Sequence, residues 1–153
     1  DYGFTSVRLD LRRYQPLGQH RLDARLVLGG RVGGSLPQQK RYHLGGAATL
    51  PGYEALAVRG DRAALLNVRY RIPVPQLRSF RLFRDAAWVA LLGDVGDAWE
   101  SSGGGPDWLA SGGVGIWGTG SLSDVGLYVV VPTEEASPDQ SDVSVFLYLG
   151  RFF

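Results

Sequence analysis

The 153 residues carry 16 Lys and Arg against 15 Asp and Glu, which gives a formal net charge of +1, with 22 glycines and no cysteine. This balance provides no basic stripe for nucleic acid, and the absence of cysteine excludes a disulfide framework and cysteine-based zinc sites. The longest apolar runs fall far short of the roughly 20 residues of a spanning helix, so any passage through a membrane must be made by strands.

Alternation of apolar and polar side chains predicts seven strands and little helix. These strands cover about Phe4 to Tyr14, His20 to Arg31, Ala63 to Val74, Phe80 to Val95, Trp108 to Trp117, Ser123 to Val131 and Val143 to Phe153. Strands of about ten residues with a period of two are typical of a transmembrane β-barrel, in which one face meets lipid and the other a wet lumen. The predicted fold class is therefore all-β, as part of an antiparallel transmembrane β-barrel.

The first two strands are predicted to form a hairpin around the turn from Pro16 to Gln19. Centring that turn on Leu17 and Gly18 gives one apolar face and one face of opposite-charge pairs. The partners predicted by this register are Leu9 with Leu26, Asp10 with Arg25, and Arg12 with Asp23. Such lumen pairs contribute little stability where they are wet, and they mainly specify orientation.

Residues 32–61 break the alternation with repeated Gly and Pro residues and predict a long loop. The loop also holds several large apolar side chains, namely Tyr42, Leu44, Leu50, Tyr53 and Leu56. A solvated tail would not carry so many, so we expect this loop to fold back onto the protein.

Five motifs follow one another in a specific order. They are Arg41-Tyr42-His43-Leu44-Gly45-Gly46, Leu50-Pro51-Gly52-Tyr53, Leu66-Asn67-Val68-Arg69-Tyr70-Arg71-Ile72-Pro73, Leu91-Leu92-Gly93-Asp94-Val95-Gly96 and Ser111-Gly112-Gly113-Val114-Gly115. With the aromatic carboxy-terminus, this order resembles the bacterial surface-antigen superfamily of outer-membrane barrels over about residues 36–153. That superfamily includes the BamA- and TamA-like assembly factors and the two-partner-secretion transporters.

The resemblance implies a sixteen-stranded barrel whose long extracellular loop folds into the lumen. This chain, residues 1–153, would be its carboxy-terminal portion, with two strands before the loop and five after it. The implied location is the outer membrane of a Gram-negative-type bacterium, and the implied function is insertion or translocation of proteins. The implied partners are outer-membrane lipid, client polypeptide strands, the missing amino-terminal barrel strands and possible periplasmic modules.

The last strand would form the seam of such a barrel, where weak pairing lets a client strand add to the edge. The residues expected to carry this role are Phe146, Tyr148, Gly150 and Phe153. The loop motif Leu50-Pro51-Gly52-Tyr53 would act beside them in the lumen.

The loop motif departs from the family pattern at Pro51, where the family has an Arg that the strand-motif Asp generally holds. Asp94 and Gly96 stand at that strand motif here. A buried carboxylate needs a cation or hydrogen-bond donors. We therefore expect Arg69, Arg71 or Arg59 to satisfy Asp94, and Arg69 itself stands where the family often has Glu.

Two further functions stay open from the sequence: a barrel that anchors or exports a fused amino-terminal enzyme such as a patatin-like lipase, and a soluble β-sandwich binding module. The aromatic residues fit either interfacial girdles or a sandwich core: Trp88, Trp99, Trp108, Trp117, Tyr14, Tyr70, Tyr128 and Tyr148. The two histidines, His20 and His43, have no acid and nucleophile at suggestive spacing. We therefore expect no enzyme activity, catalytic residue, metal or cofactor, and no nucleic-acid partner.

Overall fold

The structure, a computed structural model, describes residues 3–79, 85–119, 124–134 and 142–149. As predicted, it is all-β and antiparallel. The described strands are β1 (Thr5–Leu17), β2 (His20–Gly33), β3 (Tyr42–Leu44), β4 (Val58–Gly60), β5 (Arg62–Pro73), β6 (Ala86–Trp99), β7 (Leu109–Thr119), β8 (Asp124–Pro132) and β9 (Ser144–Leu149). Short 3-10 helices occupy Gln38–Lys40 and Pro75–Ser79. Within the described ranges, no helix is both long and apolar enough to span a bilayer.

Seven strands form one sheet in the order β1-β2-β5-β6-β7-β8-β9, while β3 and β4 pair as a separate hairpin. The predicted seven strands of the sheet are confirmed in the described ranges, while residues 80–84 and 123 of their predicted bounds lie outside the described residues. The described sheet does not close on itself, and β1 and β9 are its edges. Residues 150–153, which include Gly150 and Phe153 of the predicted seam, lie outside the described residues.

The two faces of the sheet differ sharply, and the exposed one is apolar. Strand pairing places a series of exposed apolar side chains on one side, which we call the apolar face: Val7, Leu9, Leu11, Leu28, Leu66, Leu91, Val114, Leu127, Val129, Val131, Val145, Leu147 and Leu149. The opposite side, the polar face, buries Asp23, Arg25, Asn67, Arg69, Arg71 and Asp94. A half-solvated antiparallel sheet normally shows the reverse, with its apolar side covered.

The β3–β4 hairpin and the loop between its strands cover the polar face. Leu50 and Tyr53 of this loop are buried in a cluster with Val27, Leu65 and Leu109 of the sheet. Complete burial of a side chain such as Leu50 contributes about 1.5–3 kcal/mol. The predicted folding back of the loop is confirmed, although the segment contains two strands of its own and β2 extends into it as far as Gly33.

The predicted register of the first hairpin is wrong by two residues. Leu9 pairs with Leu28 and Leu11 pairs with Leu26, because the turn residues are Gly18 and Gln19. Gly18 has a φ of 64°, which suits the first central position of a two-residue turn. Pro16 and Leu17 therefore continue the edge strand, where a proline removes no ladder hydrogen bond from a central position. A shift of two keeps every side chain on its predicted face.

The aromatic residues divide between the two faces, so they do not all contribute to a girdle. Trp88, Trp117, Tyr128 and Tyr148 lie in or against a core cluster on the polar face. Trp99 contacts the exposed Trp108 at one end of the sheet, with ring centroids 6.3 Å apart. Tyr70 lies on the apolar side towards the other end, where its hydroxyl is 2.5 Å from Nδ1 of His20.

Candidate functional site

Asp94 is a buried carboxylate of β6, and it is held by two side chains of β5. Its Oδ1 accepts hydrogen bonds from Nη1 of Arg69 at 2.7 Å and from Nδ2 of Asn67 at 2.6 Å. The side chains of Arg69 and Asp94 are 3% and 0% exposed. Of the three predicted cationic partners, the structure pairs Arg69 with Asp94. Arg71 instead binds Asp23, and Arg59 is an exposed residue of β4.

Asn67 joins this ion pair to the loop. It stands directly opposite Asp94 in the β5–β6 ladder, and its Nδ2 also donates to the backbone carbonyl of Thr49 at 2.8 Å. Alternation along this strand puts Asn67 on the polar side with Arg69 and Arg71, and no role was predicted for it. The available signal was its position in the polar row that continues to Arg69 and Arg71.

The predicted loop motif, together with Thr49 before it, forms the tip that lies on the polar face. Leu50, Pro51, Gly52 and Tyr53 are all buried. The Tyr53 hydroxyl donates to the backbone carbonyl of Ala110 in β7 at 2.8 Å. The tip thus contacts β5 through Asn67 and β7 through Tyr53, so it bridges the middle of the sheet.

Two glycines of the predicted motifs are required by close packing. Gly52 has a φ of 96°, and a Cβ there would lie 3.2 Å from Cβ of Ser111. A Cβ at Gly96 would lie 2.9 Å from the Ala64 carbonyl and 3.2 Å from Cδ1 of Leu44. Because Gly96 has no side chain, β3 can pack closely against the sheet at this position. The role of Gly96 is therefore to allow this close approach and not to contact the Asp94 carboxylate.

The predicted charge pairs are rearranged by the true register. Nη2 of Arg25 is 2.9 Å from Oδ2 of Asp10, so this pair forms diagonally across the two strands. The predicted pair of Arg12 with Asp23 is wrong, because Arg12 binds Asp10 on its own strand at 3.2 Å.

Asp23 is completely buried and is held from two sides. Arg21 approaches its Oδ1 at 2.6 Å, and Arg71 of β5 approaches its Oδ2 at 3.0 Å. Arg71 also lies over the ring of Trp117, with its guanidinium carbon 5.2 Å from the centroid. This cation therefore connects the charged strands to the aromatic cluster of β7 to β9.

Phe146 and Tyr148 of the predicted seam face the polar side of β9. Both are partly buried against the cluster that contains Trp117 and Tyr128. The ring centroids of Tyr148 and Trp117 are 5.5 Å apart. Beyond them, a small apolar cavity lies between Pro51 of the loop tip and the two edge residues.

A further carboxylate, Asp61, ties the rim of the sheet together and was not predicted as a site. It accepts hydrogen bonds from the backbone amide and hydroxyl of Ser101 at 2.7 and 2.6 Å, and from Nε of Arg31 at 2.8 Å. Burial alone would raise the pKa of Asp61, but these hydrogen bonds outweigh it and hold the pKa below its usual value. The three residues join the ends of β2, β5 and β6.

Among the described residues, no group of three or more His, Asp or Glu side chains is arranged to hold a metal ion. No protein-family model matches the chain, and no curated protein matches its sequence.

Proposed function

We propose that this chain is part of a transmembrane β-barrel of the surface-antigen type, which takes part in insertion or translocation of proteins at the outer membrane. The observation that carries the proposal is the continuous apolar face, exposed on all seven strands of the sheet. An exposed apolar surface of this extent is costly in water and favourable in a lipid core.

The ends of the apolar face fit a bilayer. Arg62 and Trp99 stand opposite each other on this side at one end, while Tyr70 and His20 stand towards the other. Amphipathic aromatic and cationic side chains at the two limits of an apolar band are typical of membrane interfaces. Each described strand of this sheet between β1 and β9 is meanwhile paired on both sides by antiparallel ladders, and internal pairing of the backbone is what a lipid environment requires.

The buried charges of the polar face favour the lumen of a barrel over the core of a β-sandwich. Its ion pairs, Asp94 with Arg69 and Asp23 with Arg71, would be out of place between the two sheets of a β-sandwich. The exposed apolar face weighs against the same alternative. A soluble binding module is therefore the weaker candidate.

The role in protein insertion or translocation rests on the resemblance of the motifs and on the edge of β9, beyond which no described strand lies. An unpaired strand edge presents backbone donors and acceptors to which a client strand can add. The loop tip and the aromatic side chains Phe146 and Tyr148 lie beside that edge. A barrel that anchors or exports a fused enzyme would share the same fold without needing this edge.

Membrane embedding is tested by placing an arginine on the apolar face. Leu91 is 47% exposed, near the middle of the apolar stretch of β6. In the proposed barrel, Leu91→Arg should lower the free energy of unfolding from lipid vesicles by about 2–4 kcal/mol. The matched control is Val32→Arg, because Val32 is 70% exposed near the end of β2 and should cost at most about 1 kcal/mol.

Equal tolerance of both arginines, with the chain remaining in the aqueous fraction of a cell, would contradict membrane embedding. The transport role has a separate test. Replacing Phe146 and Tyr148 by alanine should slow assembly or secretion of client proteins while the amount of the barrel in the membrane stays constant. Unchanged client assembly would instead favour the anchor for a fused enzyme.

A further inference from the structure

A shallow groove lies on the apolar face near the end where β1, β2 and β5 run side by side. Gly30 of β2 forms its floor and stands between Val7 of β1 and Arg62 of β5 in the two ladders. No atom lies within 4 Å of the position that a Cβ of Gly30 would occupy. The groove has a volume of about 420 Å³, and its apolar side chains are Val7, Leu9, Leu28 and Val32. Sites for small ligands have volumes of about 300–1,000 Å³.

Arg62 brings a positive charge to this apolar groove. Its side chain is exposed and makes no hydrogen bond or ion pair with any residue that the structure describes. Asp97, on the same side of β6, uses both oxygens to accept hydrogen bonds from the backbone amides of Ala98 and Asp107, each at 2.7 Å. The guanidinium is therefore available to an anion, and its planar fork of donors matches the oxygens of a phosphate.

The aromatic neighbours of Arg62 place it at the depth of lipid headgroups. Trp99 stands opposite Arg62 in the β5–β6 ladder, and the exposed Trp108 contacts Trp99. Tryptophan rings concentrate at the interface between the headgroups and the hydrocarbon core. The next paired positions of the groove, Leu9 and Leu28, lie further towards the middle of the apolar face. The groove thus has a cation at the interface and apolar walls below it.

We propose that this groove binds a membrane lipid with an anionic phosphate headgroup, whose phosphate pairs with Arg62 while an acyl chain lies over Gly30. Charge complementarity at Arg62 and the apolar walls together select an amphiphile. β2 is paired on both sides at Gly30, so the groove offers no free strand edge to a polypeptide. The inference rests on the proposed function, because the apolar face must lie in lipid, and it deepens that function by naming the class of lipid.

The test compares two photoactivatable lipids in phosphatidylcholine vesicles that contain the full-length protein. Both probes carry a diazirine on the same acyl chain, and they differ only in their headgroup, which is phosphatidylglycerol or phosphatidylcholine. Mass spectrometry of the labelled peptides locates the crosslinks. Crosslinks to residues 28–32 should be about fivefold more abundant with the phosphatidylglycerol probe. Inorganic phosphate should not compete, because it has no acyl chain; competition by inorganic phosphate would overturn the lipid as occupant.

A matched pair of arginine variants separates a specific site from general charge attraction. Arg62→Gln should abolish the preference for phosphatidylglycerol. Arg59→Gln removes the same charge from an exposed residue of β4, and the adjacent Gly60 packs against the Trp99 backbone at the same end of the sheet. This control should keep the preference. An equal loss in both variants would show only attraction of anionic lipid to a positive surface and would overturn the site.

The groove itself is tested by filling it. Gly30→Leu should abolish the excess labelling by the phosphatidylglycerol probe. Gly93→Leu is the control, because Gly93 is an exposed glycine on the apolar side of β6 whose Cβ position also has no atom within 4 Å; it should keep the excess. Even labelling of the whole apolar face by both probes would leave membrane embedding intact and overturn the lipid site. No labelling of that face by either probe would overturn the site and the proposed barrel together.

Discussion

The two halves of the polar face bury their backbone and side chains in different ways. On β1, β2, β5 and β6, ion pairs cross from strand to strand, and the buried pairs among β2, β5 and β6 have Asp23 and Asp94 as their carboxylates. On β7, β8 and β9, aromatic rings lie over glycines. A Cβ at Gly115 would overlap the Tyr128 ring, and a Cβ at Gly126 would lie 2.7 Å from the Trp117 ring.

The two halves therefore place different requirements on the residues at their buried positions. An ion pair removed from water is stable only when both charges and their hydrogen bonds are present, so the charged half depends on chemical identity. The aromatic half depends on space, since a ring lies flat on the sheet only where its neighbour has no Cβ. The loop tip joins them, because Thr49 accepts from Asn67 on one side and Tyr53 donates to Ala110 on the other.

The largest predicted effect is in the charged half. Asp94→Leu leaves the buried Arg69 without its carboxylate, which should lower the free energy of unfolding by about 3–5 kcal/mol. Denaturant titration of the chain in detergent or vesicles measures this loss. Asp107→Leu is the control, because Asp107 is exposed and its replacement should change stability by no more than about 0.5 kcal/mol. Similar values for the two variants would show that the ion pair contributes little.

The aromatic half should respond to volume instead of charge. Gly115→Ala forces a methyl group against the Tyr128 ring and the Leu127 carbonyl, and it should destabilise the fold by about 1–3 kcal/mol. Gly93→Ala is the matched control, since Gly93 is an exposed strand glycine with no atom within 4 Å of its Cβ position. That change should be neutral or stabilising by up to about 1 kcal/mol. Equal effects would mean that space over Gly115 is not limiting.

The sequence predicted which side chains share a face better than it predicted which ones touch. Alternation from Leu66 to Ile72 depends only on neighbouring residues, and the structure follows it. The register of β1 with β2 was missed because turns centred one residue apart give the same two faces. Arg25 reaches Asp10 diagonally in the true register, so charge complementarity alone did not distinguish the two registers.

The partner of Asp94 could not be chosen from sequence, because the choice depends on which residue of β5 stands opposite it. Asn67 takes that place, which sets Arg69 one step along the same face and leaves Arg71 to Asp23. The hydrogen bond from Asn67 to the loop could not be predicted either, since it depends on the path of the loop. Gly52 and Tyr53 were found by their motif, but their contacts with β7 were not.

A smaller effect is expected where the loop tip meets β7. Tyr53→Phe removes the hydrogen bond to the Ala110 carbonyl, which still accepts from the backbone amide of Thr133. The loss should be about 0.5–1.5 kcal/mol, seen as faster amide exchange in the tip. Tyr42→Phe, which removes an exposed bond to the Val7 carbonyl at the root of the loop, is the control. Faster exchange in the tip from this control would mean that the loop opens as a whole.

The smallest predicted effect concerns pH at the rim of the charged half. The pKa of Asp61 is lowered in the folded protein, so the unfolded chain binds its proton more readily. The stability that Asp61 contributes is therefore complete above the unfolded value of about 4 and is lost as the pH falls through the folded pKa. Asp61→Asn should remove this part of the acid dependence, measured as the free energy of unfolding against pH.

Asp107→Asn is the matched control for that pH series, because it changes an exposed carboxylate in the connection between β6 and β7, which also carries Ser101, the partner of Asp61. It should keep the acid dependence of the unmodified chain. Amide hydrogen exchange then shows which half of the polar face responds to acid. As the pH falls, exchange should become faster at the ends of β2, β5 and β6 around Arg31 and Ser101 before it becomes faster in β8. Simultaneous loosening of both halves would mean that the loop tip couples them more tightly than its two hydrogen bonds suggest.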